Sequence, residues 1–76
     1  AGLNRSYVRT TVRLGAKPGA QSVWYWDGED RMLAVDAMND PRAYMAGKRW
    51  LEAGDSPTPE QVADAGADLL KLAPTG

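Results

Sequence analysis

The sequence predicts one small α+β domain in which at least three antiparallel strands are followed by two helices, in the order βββαα. Two observations predict this class. Three short segments between residues 7 and 37 have the alternation and the aromatic or β-branched content typical of strands, and turn residues separate them. After residue 40 the apolar residues follow a helical spacing instead. With 76 residues the chain has room for a single domain, which we place at residues 1–76.

The first strand is predicted at residues 7–14, YVRTTVRL, because its two sides alternate. One side carries Val8, Thr10, Val12 and Leu14, and the other carries Tyr7, Arg9, Thr11 and Arg13. If the strand extends back to Arg5, then Arg5, Arg9 and Arg13 form a basic stripe that we expect on its outer face. A stripe of this kind is compatible with exposure to solvent, which is the simpler interpretation, or with contact to an acidic protein or a nucleic acid. Residues 15–21, GAKPGAQ, are predicted to form the following loop, since proline and glycine interrupt strands.

A second strand is predicted at residues 22–26, SVWYW, and a third at residues 31–37, RMLAVDA. The polar residues 27–30 between them predict a short hairpin. Alternation places Tyr25 on one face of the sheet and Trp24 and Trp26 on the other. Packing in a core is the simpler interpretation of these aromatic residues. Stacking on a flavin, a nicotinamide or a base is the alternative.

Two helices are predicted after the strands. Asp40 is a suitable N-cap and Pro41 fits the first helical position, so a helix is expected from Pro41 to about Gly54. Its packed face is predicted to contain Ala43, Tyr44, Gly47, Trp50 and Leu51. Thr58 and Gln61 have the spacing of a capping box, which predicts a second helix from Pro59 to about Gly66. Leu69, Leu70 and Leu72 are expected to pack a last turn onto the domain.

The composition excludes several kinds of site. The chain has no histidine and no cysteine, which excludes imidazole and thiolate chemistry and disulfides. None of its 8 glycines forms a phosphate-binding motif. A formal net charge of -1 argues against a nucleic-acid partner, and no apolar run approaches the roughly 18 residues of a membrane span. We therefore expect neither a nucleic-acid nor a membrane partner, and the lack of cysteine favours a cytoplasmic location.

Two groups of carboxylates are candidate sites. Asp27, Glu29 and Asp30 lie close together in sequence, but their spacing differs from that of a calcium loop, and a solvated hairpin tip explains them better. Asp36 and Asp40 are conceivable as an acid and a base. A strand end and a helix cap are the simpler roles for these two residues.

Three stretches together resemble one protein family: SVWYW at 22–26, RMLAVDAMNDP at 31–41 and YMAGKRWL at 44–51. They are similar to the C-terminal domain of the FAD-dependent NAD(P)H:ferredoxin reductases, the family of the putidaredoxin reductases, the rubredoxin reductases and the reductases of ring-hydroxylating dioxygenases. The fold that this resemblance implies is that of the C-terminal (dimerisation) domain of FAD/NAD-linked reductases. AGL at 1–3 resembles the start of that domain, and residues 56–64 and 68–72 resemble its end. The resemblance covers nearly the whole chain. Met38 departs from the family pattern, which usually has valine there.

This resemblance implies a parent enzyme that takes a hydride from NADH or NADPH onto FAD and passes single electrons to an iron–sulfur redoxin. The FAD and NAD domains of such reductases precede this domain and are absent from the sequence. We therefore expect a fragment of a larger flavoprotein that binds neither FAD nor NAD(P)H alone. The implied role is to cover the flavin side and to help the redoxin dock. The candidate docking residues are Lys71, Arg49, Lys48, Arg9 and Arg5.

Two other functions remain open at this stage. A stand-alone protein-interaction module of the same fold, with no redox activity, would be distinguished by a coding frame that lacks upstream flavin motifs. A small RNA-binding sheet would use Tyr7, Arg9 and Arg13 and would bind single strands in a salt-dependent manner. The acidic isoelectric point near 5.2 makes this second alternative the weaker one.

Overall fold

The computed structural model describes residues 7–74, which form a three-stranded antiparallel sheet followed by helices. The elements are β1 (Arg9–Leu14), β2 (Gln21–Trp26), β3 (Met32–Met38), α1 (Pro41–Ala53), α2 (Pro59–Ala63) and α3 (Leu69–Leu72). The strand order is β1-β2-β3, so each strand pairs with its neighbour in sequence. The predicted α+β class and strand order are confirmed. The short α3 forms where only a last turn was expected.

The core lies between one face of the sheet and the helices. Trp24 and Trp26 of β2 are fully buried, and the Trp24 ring meets Trp50 of α1 edge-on with centroids 6.1 Å apart. Both indole N–H groups find partners within the sheet: Trp24 donates to the Ser22 hydroxyl and Trp26 to the Thr11 hydroxyl, each at 2.9 Å. Burying these large rings without leaving a polar group unpaired fixes which face of the sheet the helices cover.

The arginine side of β1 faces the helices, so the predicted basic stripe on the outer face is wrong. Thr11 lies opposite Trp24 and Arg13 lies opposite Ser22, which places both on the buried face of the sheet. Val12 and Leu14, on the other side, are 59% and 69% exposed. Alternation separated the two sides correctly, but the tryptophans of the neighbouring strand decide which side is covered.

Strand β1 begins at Arg9 rather than at Tyr7. The N–H of Val8 donates to the carbonyl of Trp26 at 2.9 Å, although Arg9 is the residue opposite Trp26. The chain before Arg9 thus leaves the regular alternation. As a result, the Tyr7 ring packs edge-on against Tyr25, with centroids 4.9 Å apart, and not on the side of Arg9.

Helix α1 begins and ends at the predicted residues. The Asp40 carboxylate accepts the Ala43 N–H at 3.2 Å, and Gly54 ends the helix in the left-handed conformation with φ of 68°. Ala43, Ala46, Gly47 and Trp50 form its buried face. Tyr44, predicted on that face, is 44% exposed, because Ala46 packs there instead.

The predicted capping box of α2 is present. The Thr58 hydroxyl accepts the Gln61 N–H at 3.1 Å, and the Gln61 side chain accepts the Thr58 N–H at 2.9 Å. Helix α2 ends at Ala63, three residues before the predicted Gly66, and Asp68 then caps α3. Val62 and Leu69 anchor these two short helices in the core.

Within residues 7–74, none of the helices combines the length and the apolar character that crossing a bilayer requires. The docking candidate Arg5 and the resemblance at residues 1–3 lie outside the described residues.

Candidate docking surfaces

The side of the sheet away from the helices is a candidate docking surface, which we call the outer sheet face. It consists of Thr10, Val12 and Leu14 of β1, Gln21, Val23 and Tyr25 of β2, and Ala34, Asp36 and Met38 of β3. Val12, Leu14 and Met38 are all about half exposed or more, at 59%, 69% and 49%. No described element covers them. An exposed apolar patch of this kind is typical of a surface that another part of a protein covers.

One polar pair lies within the outer sheet face. The Tyr25 hydroxyl donates to the Asp36 carboxylate at 2.9 Å, and Tyr7 packs edge-on against the Tyr25 ring. The hydrogen bond that Tyr25 donates to Asp36, and partial desolvation, raise the pKa of Tyr25 above its ordinary value. The two groups satisfy each other, so this pair can enter an interface at a lower desolvation cost than two separate polar groups.

Removing this hydrogen bond is expected to return the titration of Tyr25 toward that of an ordinary tyrosine. The neutral phenol is the form that Asp36 stabilises. Because its pKa is raised on folding, the resulting stability is fully present below the pKa of the unfolded chain and is lost as the pH rises through the folded pKa. Ultraviolet titration of tyrosinate in the parent chain and in the Asp36→Asn variant measures the shift. A Tyr44→Phe variant is the control, and an unchanged curve in Asp36→Asn would contradict the assignment.

The basic docking candidates from the sequence lie in different surroundings. Lys48 and Lys71 are exposed on α1 and α3, and Arg49 is half-buried on α1. None of these three forms an ion pair with another described residue. Arg9 does form one, with Asp30 of the β2–β3 hairpin. The cations available for a partner within residues 7–74 are therefore on the helical side of the domain and on the β1–β2 loop, where Lys17 is exposed.

Arg13 has a structural role that sequence reasoning missed. Its guanidinium donates to the carbonyl of Val62 at 3.0 Å and to that of Asp64 at 2.6 Å, and it also bonds the carbonyl of Ala67. It therefore caps the C-terminal end of α2 and fastens the α2–α3 connection to β1. The signal available in the sequence was the pair of tryptophans in β2, since the strand register places Arg13 on their face.

An open groove of about 340 Å³ lies between the β1–β2 loop, the start of α1 and the α2–α3 connection. Four charged side chains line it: Arg13, Asp40, Arg42 and Asp68. Partial burial opposes the ionisation of Asp68, but the Arg42 guanidinium and the backbone N–H groups of Leu70 and Lys71 outweigh it and lower the pKa of this carboxyl. All four side chains already have partners, so the groove does not present a free charge to a ligand.

The two carboxylates considered as an acid and a base have separate roles. Asp36 bonds Tyr25 on the outer sheet face, and Asp40 caps α1. This agrees with the simpler interpretation of both residues. The described surface is thus suited to contact with other protein surfaces through an apolar sheet face and a set of free cations.

Comparisons with known proteins agree with this description. The sequence model of a family described as "Reductase C-terminal" matches residues 1–73. Among solved structures, the crystal structure of the ferredoxin reductase for the CYP199A2 system from Rhodopseudomonas palustris is similar, with a TM-score of 0.84 and 25% sequence identity. The match covers 96% of this chain and 18% of that protein. The chain therefore spans less than a fifth of the length of the reductase it resembles.

Proposed function

The chain belongs to the reductase C-terminal family, and from this membership we propose that it is the C-terminal domain of a flavoprotein that transfers electrons from NAD(P)H through FAD to a ferredoxin or rubredoxin. One observation carries the proposal: nearly the whole chain superposes on a small part of a ferredoxin reductase. The parent enzyme is then an oxidoreductase of the cytoplasm, and the domains that hold FAD and NAD(P)H lie outside these 76 residues.

The described residues fit FAD as a neighbour and not as a binding site. The outer sheet face offers apolar side chains, and its Tyr25 hydroxyl is already engaged by Asp36. The groove beside Arg13 is lined by two arginines and two carboxylates, so it presents no excess of positive charge to a phosphate. When bound in the parent enzyme, FAD supplies hydride acceptance and single-electron release. This domain supplies a surface that keeps water from one side of the cofactor.

We assign the cover on the flavin side to the outer sheet face. It carries Val12, Leu14 and Met38, which gain hydrophobic stabilisation when another surface covers them. The helical side also exposes apolar side chains, Tyr44, Met45 and Leu72 at 44%, 47% and 45%. The same helices, however, carry the free cations Lys48 and Lys71, which suit an acidic redoxin better than a buried interface. The outer sheet face then lies against the FAD and NAD domains, and the cations of α1 and α3 contact the redoxin.

The function is tested on the complete protein that carries this domain. A flavin absorption band and NAD(P)H-dependent reduction of an iron–sulfur redoxin are the expected results. The isolated 76-residue chain is expected to leave the fluorescence of added FAD unchanged. A colourless protein with the mass of this chain alone would overturn the redox role and favour the stand-alone interaction module.

Reversing the charge of Lys71 is expected to slow reduction of the redoxin by about tenfold at low salt, because an acidic partner is steered by complementary charge. The same change is expected at Arg49. Reduction of a small dye acceptor should keep its rate, since the dye needs no docking surface. The measurement is kcat/KM for both acceptors with the Lys71→Glu and Arg49→Glu variants of the parent enzyme.

The matched control is Lys17→Glu, which makes the same charge reversal at an exposed lysine on the β1–β2 loop. The difference in kcat/KM between the Lys71→Glu variant and the unmodified enzyme should shrink as added salt screens the attraction between the enzyme and the redoxin. An equal loss with Lys17→Glu would attribute the effect to net charge. An unchanged rate with Lys71→Glu at low salt would remove this residue from the docking surface.

A further inference from the structure

We infer that Met45 is a site of reversible oxidation by hydrogen peroxide. Its sulfoxide binds the guanidinium of Arg49 and so removes that group from redoxin docking. The inference rests on the proposed function and deepens it by adding a way to regulate the docking surface. The exposure of the 3 methionines and the spacing of Met45 and Arg49 in α1 carry it.

The methionine thioethers are the sulfur groups that peroxide can oxidise in this chain, which has 3 methionines and no cysteine. Met32 is 4% exposed and lies in the core, where peroxide does not reach its sulfur. Met38 and Met45 are 49% and 47% exposed. The chain therefore offers two reachable thioethers, one on the outer sheet face and one on the helical side.

The two exposed methionines have different surroundings. Met38 lies opposite Gln21 on the outer sheet face, and the Gln21 amide nitrogen is 4.0 Å from its Sδ. Under the proposed function this face lies against the FAD and NAD domains, which cover Met38 in the parent enzyme. Met45 is exposed on α1 and has no hydrogen-bond partner among residues 7–74. The thioether of Met45 thus stays accessible to peroxide in the assembled enzyme.

Oxidation changes this thioether from an apolar group into a hydrogen-bond acceptor. The sulfur of Met45 attacks one oxygen of hydrogen peroxide, the O–O bond breaks, an S=O bond forms and water leaves. The sulfur loses two electrons and the peroxide gains them, so the reaction needs no further reagent. The product is a polar sulfoxide whose oxygen accepts hydrogen bonds, whereas the thioether is only a weak acceptor.

Two cations lie next to this sulfoxide on α1. Lys48 and Arg49 follow Met45 by three and four residues, and side chains at these spacings are neighbours on a helix surface. Arg49 is half-buried, lies closer to the line of Met45 along the helix and carries five N–H donors, so the hydrogen bond goes to Arg49. Arg42 already pairs with Asp68 at 3.3 Å. A guanidinium turned toward the sulfoxide has fewer N–H groups left for a carboxylate of the redoxin.

Peroxide treatment of the parent enzyme tests the effect on docking. We expect kcat/KM for the redoxin to fall about threefold, less than on charge reversal, because Arg49 is occupied and keeps its charge. Reduction of a small dye should keep its rate. Methionine sulfoxide reductase should restore the rate with the redoxin, because it returns the sulfoxide to the thioether.

The outcomes separate this inference from the proposed function. No loss of redoxin reduction after complete oxidation of Met45, or a loss that the reductase does not reverse, would overturn the inference and leave the proposed function intact. An enzyme that fails to reduce the redoxin before treatment would overturn the proposed function and, with it, the docking role of Met45.

Two variants assign the effect to these residues. Met45→Leu keeps an apolar side chain of similar size that peroxide does not oxidise, so its rate is expected to be the same with and without peroxide. In Arg49→Gln, whose rate starts lower, peroxide should cause no further loss. A loss in either variant equal to that of the unmodified enzyme would contradict the pairing of Met45 with Arg49.

Peptide mapping by mass spectrometry tests which thioether reacts. In the 76-residue chain Met38 and Met45 are expected to gain one oxygen each, and Met32 is expected to stay reduced. In the parent enzyme Met45 is expected to be the one of these three that reacts. Oxidation of Met38 there as fast as Met45 would overturn the selection of Met45. Protection of Met45 in both proteins would overturn its assignment as the reactive site.

Discussion

Replacing Arg13 by methionine is expected to lower the free energy of unfolding by about 3 kcal/mol, because several carbonyls lose a charged donor at once. The guanidinium bonds the carbonyls of Val62, Asp64 and Ala67. The Asp64 carbonyl also accepts the Ala67 N–H at 3.0 Å, so the loss falls mainly on the carbonyls of Val62 and Ala67. Methionine keeps the length and the apolar stem of the side chain, so the loss reports the hydrogen bonds rather than a cavity. Urea denaturation of both chains measures the difference.

Arg9→Met is the matched control for this change. It removes the same guanidinium from the same side of the same strand, but at an exposed ion pair with Asp30. Exposed pairs contribute only about 0–1 kcal/mol. Similar losses in the two variants would show that Arg13 acts through general charge. Faster amide exchange at residues 64–68, in the Arg13 variant alone, would locate the damage at the α2–α3 connection.

Replacing Gly47 by alanine is expected to destabilise the domain by about 2 kcal/mol, although alanine is the better helix former. A Cβ at position 47 would lie 2.5 Å from Cγ1 and 3.2 Å from Cβ of Val35 in β3. Overpacking against a stiff β-branched side chain costs about 3 kcal/mol, and the higher helix propensity of alanine recovers about 1 kcal/mol. Urea denaturation measures the net loss.

A double variant identifies the clash as the cause. Val35→Ala removes Cγ1, the atom at 2.5 Å, and keeps the Cβ at 3.2 Å, so adding Gly47→Ala to that background is expected to cause a much smaller further loss. The same loss in both backgrounds would contradict the close approach of α1 to β3. The result also bears on function, since this contact sets how closely the helical layer and its Lys48 and Arg49 lie to the sheet.

Several local features were predictable from the sequence because the residues involved are close neighbours along the chain. Asp40 and Gly54 bound α1 as expected, and Thr58 and Gln61 form the predicted capping box. Each signal depends on a side chain and on backbone groups within about four residues, so no distant contact is needed to form it. The alternation in β2 likewise separated Tyr25 from the two tryptophans.

The family could also be identified from the sequence, because its pattern extends over nearly the whole chain and a family model matches residues 1–73. The docking residues could not be settled in the same way. Lys48, Arg49 and Lys71 stay predictions with free charges, whereas Arg9 is engaged by Asp30. Whether a cation is free depends on contact with a carboxylate that is distant in sequence and close in the fold. The spacing of residues along the chain does not reveal such a contact.

The sequence by itself determined the order of the strands, both ends of α1, the capping box of α2 and the family. Only the tertiary structure decided which side of β1 is covered, and with it the outer sheet face and the role of Arg13. Considered alone, the side of β1 that carries Val12 and Leu14 is more apolar than the side that carries Arg9, Thr11 and Arg13, so alternation by itself predicts the wrong side as the covered one. Burial of Trp24 and Trp26 on the neighbouring strand outweighs the exposure of Val12 and Leu14, and the carbonyls at the end of α2 satisfy the arginine that is turned inward.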